Sequence, residues 1–361
     1  MAGRPDSMPR ARIPANLPDL VSKAFHSARA TGDVHFFPTQ VTLVNVNSVP
    51  FQLRFSPALA NKPRNPQPVP AAAQPKEPND ATSPPKKPFF DPFDNPQPPM
   101  LITALPPSHN LVLNKFAIVP EHFILATQAY KEQTDLLERA DLEVAYGCIE
   151  AYHEHKEASA TGAAVDKDRG SELFVFYNSG AESGSSQPHR HLQLLPVERM
   201  REGLDGEDYQ AWDVLATSLL DEDVRKQVPF ATFAERIGPE TDLWGVYLRL
   251  YQRACHAVLG DTTSSTEPLE DRETTGPARI QYNLAMTRDV MVVAPRVAEG
   301  RAVSRVAADG RREEVGRLAL NGTVLAGTAL VKTQEEWDAL RAEPEQLGGV
   351  LGSIGVPRGV L

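Results

Sequence analysis

The 361 residues carry 37 Lys and Arg against 47 Asp and Glu, a formal charge of −10. A chain of this sign lacks the broad basic face that grips nucleic acid or anionic lipid, so neither partner is expected and any bound polyanion must be held locally. Hydrophobic side chains make up 41% of the residues, enough for one large core or two modest ones.

Residues 17–30 set Leu17, Leu20, Val21, Ala24 and Phe25 on one face, the spacing of an amphipathic helix. Strands are predicted at 40–46 and 50–55. Thirteen of the 32 prolines fall between Pro63 and Pro99 among Ala, Gln, Lys and Asn. That composition cannot pack a core, and 64–87 reads as a disordered insert. Strands at 111–119 and 123–127 turn at Pro120. A long helix over 128–155 follows, carrying Leu136, Leu137, Val144, Cys148 and Tyr152. A polar loop at 156–170 leads to a strand at 173–177, a turn rich in Gly and Ser, and a strand at 189–195. Helices are predicted at 206–221 and 240–258, with a loop at 260–277. Strands at 279–286 and 290–295, a charged loop at 299–316 and a strand pair around 317–331 close the chain. Strands separated by helices of unequal length and short links predict an α+β fold with antiparallel sheet. No Gly motif joins a strand to a helix as Rossmann and P-loop folds require. Cys148 and Cys255, both in apolar helical stretches, offer neither a disulfide framework nor a metal cluster, which suits a reducing compartment. With no signal-peptide pattern and no apolar run of roughly 20 residues, the expectation is a soluble cytoplasmic protein, with the nucleus as the alternative.

The segment that bears chemistry is Asn178-Ser-Gly-Ala-Glu-Ser-Gly-Ser-Ser-Gln-Pro-His-Arg-His-Leu-Gln193. On a strand, His189, His191 and Gln193 share one face while Arg190, Leu192 and Leu194 take the other. Burying the leucines would fix the register and hold the imidazoles in a set geometry. Just upstream, Gly184, Ser185, Ser186 and Gln187 can present successive backbone N–H groups to phosphate oxygens without net positive charge. A neutral imidazole attacks phosphorus well and leaves readily from a phosphoramidate, which permits two successive displacements. A His-x-His strand alone is equally a zinc half-site or a surface accident. No spacing among the other histidines nominates a third zinc ligand, and His122, beside a proline turn, reads as structural. No protein metal site is expected.

The whole string NSGAESGSSQPHRHLQ resembles the diadenosine tetraphosphate phosphorylases (ATP adenylyltransferases), a branch of the histidine-triad superfamily related to galactose-1-phosphate uridylyltransferase. The likeness extends through PFQLRFSPALANKP (50–63), NPQPPMLITALPPSHNLVLNKFAIVPEHFILAT (95–127), YNLAMTRDVMVVAPR (282–296) and ALNGTVLAGTALVK (319–332). It implies antiparallel sheets in two related histidine-triad-like halves with flanking helices, as an N-terminal domain at 1–200 holding the catalytic strand and a C-terminal domain at 201–361. It implies phosphorolysis of diadenosine tetraphosphate to ATP and ADP, with His191 as the nucleophile that carries AMP, Gln193 on the adduct's phosphate and His189 orienting or polarising. Asn178 and Gly184 to Gln187 match nucleotide-binding positions, as do Lys62, Asn114 and Lys115 in the N-terminal half. Asn321, Gly322, Thr323, Thr328 and Lys332 match a further group. Related chains carry Asn-Ser-Leu-Gly and Gly-Met where this one has Asn321-Gly-Thr-Val and Gly327-Thr328. Backbone contacts survive such changes and a thioether contact does not. The expected partners are diadenosine polyphosphates, ATP, ADP and phosphate, with sulfate as a second candidate acceptor. A divalent cation, Mg2+, is expected to travel with the nucleotide, and no tightly bound cofactor is expected. The rival readings are a sugar-1-phosphate uridylyltransferase and a non-catalytic nucleotide-binding or zinc-binding protein.

Overall fold

The computed structural model describes residues 12–61, 90–159, 172–260, 274–307 and 309–357. The expected insert at 64–87, Lys62, and most of the expected loops at 156–170 and 260–277 lie outside the described residues. The frame is an eight-stranded sheet. Its spatial order is Phe233–Arg236, Val290–Arg296, Gln281–Met286, Leu173–Asn178, His191–Pro196, Phe123–Thr127, His109–Leu113 and Leu101–Leu105. Every neighbouring pair in it is antiparallel. Three strands from the C-terminal part and five from the N-terminal part thus form one sheet, joined where Tyr177 pairs with Leu284. The α+β reading with antiparallel sheet matches this arrangement.

The two-residue period sorts the sheet into two unlike faces. Leu125, Val175, Leu192, Leu194, Leu284 and Met291 pack into one core with the helices Leu17–Thr31, Arg139–Ser159 and Leu243–Leu259. Leu192 and Leu194 are almost wholly buried there, each contributing about 1.5–3 kcal/mol, and a one-residue slip would eject both. That penalty fixes which way His191 and Gln193 face. On the opposite side, Phe174, Phe176, Ala285 and Val292 share a core with a second unit. It contains a three-stranded sheet in which Val49–Phe55 pairs antiparallel with Gln40–Val46 and parallel with Thr328–Val331. Helices Gln334–Ala342 and Glu345–Ile354 flank that sheet. Among the described residues the apolar cover of the remaining strands is a small cluster of Phe93, Val112, Ile124 and Ala126, and His191 sits beside it.

Several boundaries differ from the sequence reading. The helix expected from residue 128 starts at Arg139 and runs to Ser159, because 128–138 instead lies along 188–190 with bonds such as Arg190 N to the Lys131 carbonyl. The helix expected at 206–221 is broken into Gly206–Ala211 and Leu215–Ser218, with Trp212 extended and fully buried between them. The charged loop at 299–316 is a hairpin, Gly300–Val306 with Arg312–Ala319, whose Arg and Glu side chains occupy its solvent side and hide the alternation. Two strands do fall around 317–331, Arg312–Ala319 and Thr328–Val331, but the 3-10 turn Gly322–Ala326 separates them and Thr328–Val331 joins Val49–Phe55. The strands Leu101–Leu105 and Phe233–Arg236 and the two last helices were not anticipated from periodicity.

A single buried guanidinium ties the C-terminal segments to the sheet. Arg296 donates to Asn283 Oδ1 and to the carbonyls of Leu320 (2.9 Å), Ala298 (3.0 Å), Glu299 (3.2 Å) and Ile354 (3.3 Å). Burial lowers its pKa to about 10, which still leaves it charged at neutral pH. Replacing it with the apolar Arg296→Met should strand these acceptors and cost about 3 kcal/mol, read as a lowered midpoint in urea. A loss below about 1 kcal/mol would show that the carbonyls find other donors.

Candidate active site

The pairing of His191–Pro196 with Leu173–Asn178 runs from Leu173 opposite Pro196 to Phe176 opposite Gln193 and then opens. In the gap stands the side chain of Gln133. Its Oε1 accepts from the His191 N–H (2.7 Å), and its Nε2 donates to the carbonyls of Asn178 (2.7 Å) and His191 (3.1 Å). A buried peptide left unpaired costs about 1–3 kcal/mol, so this amide replaces the missing ladder partner. Gln133 is itself fixed: its N–H donates to the Pro188 carbonyl at 2.7 Å and its carbonyl accepts from the Tyr177 hydroxyl. Across the strand's other edge His191 pairs with Ala126.

The two imidazoles are held in opposite ways. His191 is 4% exposed, and its Nδ1 lies 2.8 Å from the His189 carbonyl. A carbonyl only accepts, so Nδ1 carries the proton and Nε2 keeps its lone pair. Burial lowers the His191 pKa to about 4; the His189 carbonyl and Asp91 oppose that shift and His189 adds to it. His189 has both nitrogens engaged, Nδ1 donating to Asp91 Oδ2 at 2.7 Å and Nε2 facing Thr127 Oγ1 at 3.0 Å. Phe93 lies against both rings, its centroid 5.0 Å from that of His191 and 5.7 Å from that of His189. Gln193 is half-buried on the same face as His191, between Ile124 and Phe176. Arg190, on the reverse side, pairs with Glu138 (2.9 Å) and Asp141 (3.1 Å), and Asp141 also meets His109 Nε2 at 2.9 Å.

The glycine-rich turn and the C-terminal block meet at this face. Gly184 closes the short turn Ala181–Ser183 with φ +84°, and a Cβ on it would come within 2.6 Å of Asn321 Cβ. The N–H groups of Gly184 and Ser185 already donate to the carbonyls of Ala181 and Gly180 (both 3.0 Å). The expectation of four successive free donors is therefore corrected: a tight turn uses its first two internally. The N–H groups of Ser186 and Gln187 have no acceptor among the described residues. Asn178 is a junction, its Oδ1 accepting from Gly322 N and Asn283 Nδ2 (both 2.8 Å) and its Nδ2 reaching the Gly184 carbonyl at 3.5 Å. Gly322 has room for no side chain, since a Cβ would lie 2.6 Å from Phe176 Cδ2. Asn321 Oδ1 accepts from the N–H (3.0 Å) and hydroxyl (2.8 Å) of Thr323, whose hydroxyl also reaches the Thr328 carbonyl. The side chains of Asn321, Thr323 and Asn178 thus shape the block from within. Thr328 Oγ1 turns to Gln52 Oε1 at 3.5 Å, and Lys332 is half-buried.

Asn114 and Lys115 follow the strand His109–Leu113 at the end away from His191. Leu113 lies opposite Phe123, which lies opposite Leu194, three residues or roughly 10 Å along the strand. Asn114 accepts from Phe116 N (3.0 Å) and its Nδ2 meets His122 Nδ1 (3.1 Å), which gives His122 the structural place expected for it; Lys115 is exposed.

A family model described as the Ap4A phosphorylase N-terminal domain matches residues 8–156 and 155–205, more than half of the chain, and one described as the ATP adenylyltransferase C-terminal domain matches 226–357. The chain belongs to the Ap4A phosphorylase family. It is 27% identical over 360 residues to Protein APA1 of Saccharomyces cerevisiae, covering 96% of each chain. It is 29% identical over 281 residues to the diadenosine 5',5'''-P1,P4-tetraphosphate phosphorylase 2 of the same yeast, covering 74% of this chain and 76% of that one. Its structure is similar to that of yeast Ap4A phosphorylase Apa2, with a TM-score of 0.64 at 25% identity over 96% of this chain and 99% of the other. Apa2 in complex with Ap4A gives a TM-score of 0.65 at 22% identity and a likeness of fold.

Sequence reasoning brought His189, His191, Gln193, the glycine turn and the Asn321 block to one place. It missed Gln133, Asp91, Phe93, Thr127 and Asn283. Asp91 and Phe93 adjoin a proline-rich stretch whose composition masks them, and Gln133 lies in what reads as helix. The low pKa of His191 makes a direct prediction. Unfolding returns the ring to about 6.5, so the unfolded chain binds more protons between about 4 and 6.5. This group therefore makes the fold less stable as pH falls through that window and gives no slope above it. In a 15N-edited NMR titration of the folded protein, His191 Nε2 should stay unprotonated from pH 8 to pH 5.5; a midpoint near 6.5 would contradict the buried neutral ring.

Proposed function

We propose that the chain phosphorolyses diadenosine tetraphosphate through an AMP group held covalently on His191. The observation that carries this reading is the bond from His191 Nδ1 to the His189 carbonyl, which leaves a neutral imidazole with its Nε2 lone pair uncommitted. In the first half-reaction Nε2 forms a bond to an α-phosphorus and the bond from that phosphorus to the bridging oxygen breaks, releasing ATP. In the second, a phosphate oxygen bonds to the same phosphorus and the N–P bond breaks, releasing ADP and restoring the imidazole. The charges balance without a residual proton on the enzyme. His189, with both nitrogens engaged, orients the carbonyl that sets the His191 tautomer and does not itself attack. Its occupied lone pair also argues against the zinc-holding alternative.

Gln193, Ser186 N–H and Gln187 N–H are the groups we assign to the phosphoryl oxygens, with Gly184 and Gly322 keeping the approach open. Asn178, Asn321, Thr323 and Thr328 act by shaping that cradle, and Asn114, Lys115 and Lys332 are assigned to the nucleotide on the family likeness. Lys62 belongs to the same proposed group on the family likeness alone. Mg2+ is proposed to arrive with the polyphosphate and neutralise part of its charge. Among the described residues no three His, Cys, Asp or Glu come together as ligands, so its ligands would be phosphate oxygens and water. The histidine-triad relationship of the two halves, and sulfate as an alternative acceptor to phosphate, belong to the same proposal. No helix among the described residues is long and apolar enough to cross a membrane, and with both cysteines free and buried we propose a cytoplasmic or nuclear location.

Two measurements test the reading. With diadenosine tetraphosphate as substrate, ADP and ATP should appear together only when phosphate is supplied; steady AMP release without phosphate would make the chain a hydrolase. The amide of Gln193 cannot act as a general base toward water, which lets the adduct wait for phosphate. Second, His191→Ala should abolish the trapped adenylyl-protein. Gln133→Leu, which frees the His191 peptide while leaving its ring, should lower kcat by on the order of 100-fold with KM little changed, as a displaced nucleophile does. An adduct on the His191 variant would overturn the assignment.

A further inference from the structure

Among the described residues three aromatic side chains are strongly exposed, Phe90 (66%), Tyr130 (51%) and Tyr209 (38%), and one of them, Tyr130, lies against a histidine of the site. The Tyr130 ring centroid is 5.2 Å from that of His189. Phe90 directly precedes Asp91, whose carboxylate holds His189 Nδ1 at 2.7 Å. Exposing two large rings costs burial the fold could otherwise gain, and nothing in the reaction described above uses them.

Their electrostatic setting narrows what they can receive. The charged groups that act on Tyr130 are Glu132, Asp91 and Asp135, and its hydroxyl is hydrogen-bonded with Glu132. The nearby cations are already committed, Lys131 to Glu138 at 2.7 Å and Arg190 to Glu138 and Asp141. A rim of carboxylates repels phosphate groups. It suits the uncharged end of a nucleotide, because carboxylates accept hydrogen bonds from a ribose diol or an exocyclic amine while an open ring face takes a base. The distance suits it too: the Tyr130 ring lies against His189, which is two residues from His191, roughly 7 Å along the chain. A tetraphosphate whose first phosphorus sits at His191 spans that gap.

We propose that Tyr130 is the stacking platform for the second nucleobase of the dinucleoside polyphosphate, the one that departs with ATP. This rests on the adenylyl transfer proposed above and assigns a subsite to it. The platform makes Tyr130 a specificity residue for substrates that carry a base at both ends.

The test compares diadenosine tetraphosphate with adenosine 5'-tetraphosphate, which offers the same phosphates and no second base, in phosphate-supplied assays of the full chain. Wild type should favour the dinucleotide in kcat/KM by roughly tenfold, the scale of one base stacked on an aromatic ring. Tyr130→Ala should erase that preference by slowing the dinucleotide alone, and Tyr130→Phe should retain it. Three results would overturn the platform: a wild type with no preference, a Tyr130→Ala variant that keeps it, or an equal loss on both substrates, which would mean the ring only buttresses His189. Absence of AMP transfer by wild type from either substrate would instead refute the underlying reaction.

Discussion

The insertion of the Gln133 amide between Asn178 and His191 is the contact on which the catalytic geometry depends. Two neighbouring strands that stayed paired to their ends would bury the His191 peptide in an ordinary ladder and leave no space between the glycine turn and the histidine. Opening the ladder makes that space, but it exposes three buried peptide groups to loss of partner. One side chain satisfies all three, with bonds of 2.7, 2.7 and 3.1 Å. The backbone of His191 is thereby held as firmly as a strand residue while the chain before it turns away toward His189. A side chain on a loop could not keep the Nδ1-to-carbonyl bond that sets the tautomer, since that bond depends on the local backbone path.

The same opening brings in the C-terminal half. Asn178, the last residue of its strand, no longer faces a ladder partner on that side, and its amide turns to Gly322, Asn283 and Gly184. Asn283 in turn accepts from Arg296, which also clasps Leu320 and the end of the last helix. Positive charge is used here to organise carbonyls. Arg54, Arg201 and Arg296 are all buried and, Arg201 Nε apart, spend their donors on backbone oxygens or neighbouring side chains. In the proposed reaction a chain of net charge −10 would then face a polyphosphate with uncharged donors, which would hold the oxygens without gripping the product as a row of guanidinium groups does.

What the sequence made legible follows from range. His191, Gln193, Leu192 and Leu194 announce themselves because a strand's alternation is written in adjacent letters, and the glycine turn because φ +84° at Gly184 requires that residue. The hairpin Gly300–Val306 with Arg312–Ala319 was illegible because it buries little beyond Val303 and Leu318, so its polar face dominates the pattern. Gln133, Asp91 and Asn283 were illegible for a different reason. Each acts on a partner 58, 98 or 105 residues away, and an isolated Gln, Asp or Asn has no local signature of the bond it will make. The Asn321 block was found through likeness of the string, and only the packing shows why it tolerates change at Thr323 and Val324. Its bond to Asn178 is made by the Gly322 backbone N–H, which a change of side chain leaves in place, although Gly322 itself stands where related chains carry Ser and has no room for a side chain here.

The depressed basicity of His191 suits a group that, in the proposed double displacement, acts twice. A more basic imidazole would be the stronger nucleophile when unprotonated, but at neutral pH it would spend more of its time protonated, and once adenylylated it would hold phosphorus more tightly. Burial to 4% exposure shifts both balances together. The free ring is neutral at physiological pH, and in that proposed reaction the departing ring is a weak base that leaves without needing a proton from an acid. The cost falls on intrinsic nucleophilicity, which positioning must offset, and this returns the argument to the peptide. Only a ring whose Nε2 is aimed by a fixed backbone, with Phe93 packed 5.0 Å away to limit its rotation, can trade basicity for orientation. The tight bonding around His191 and its low pKa are therefore two parts of one arrangement that fits the proposed reaction, in which the same nitrogen attacks and departs.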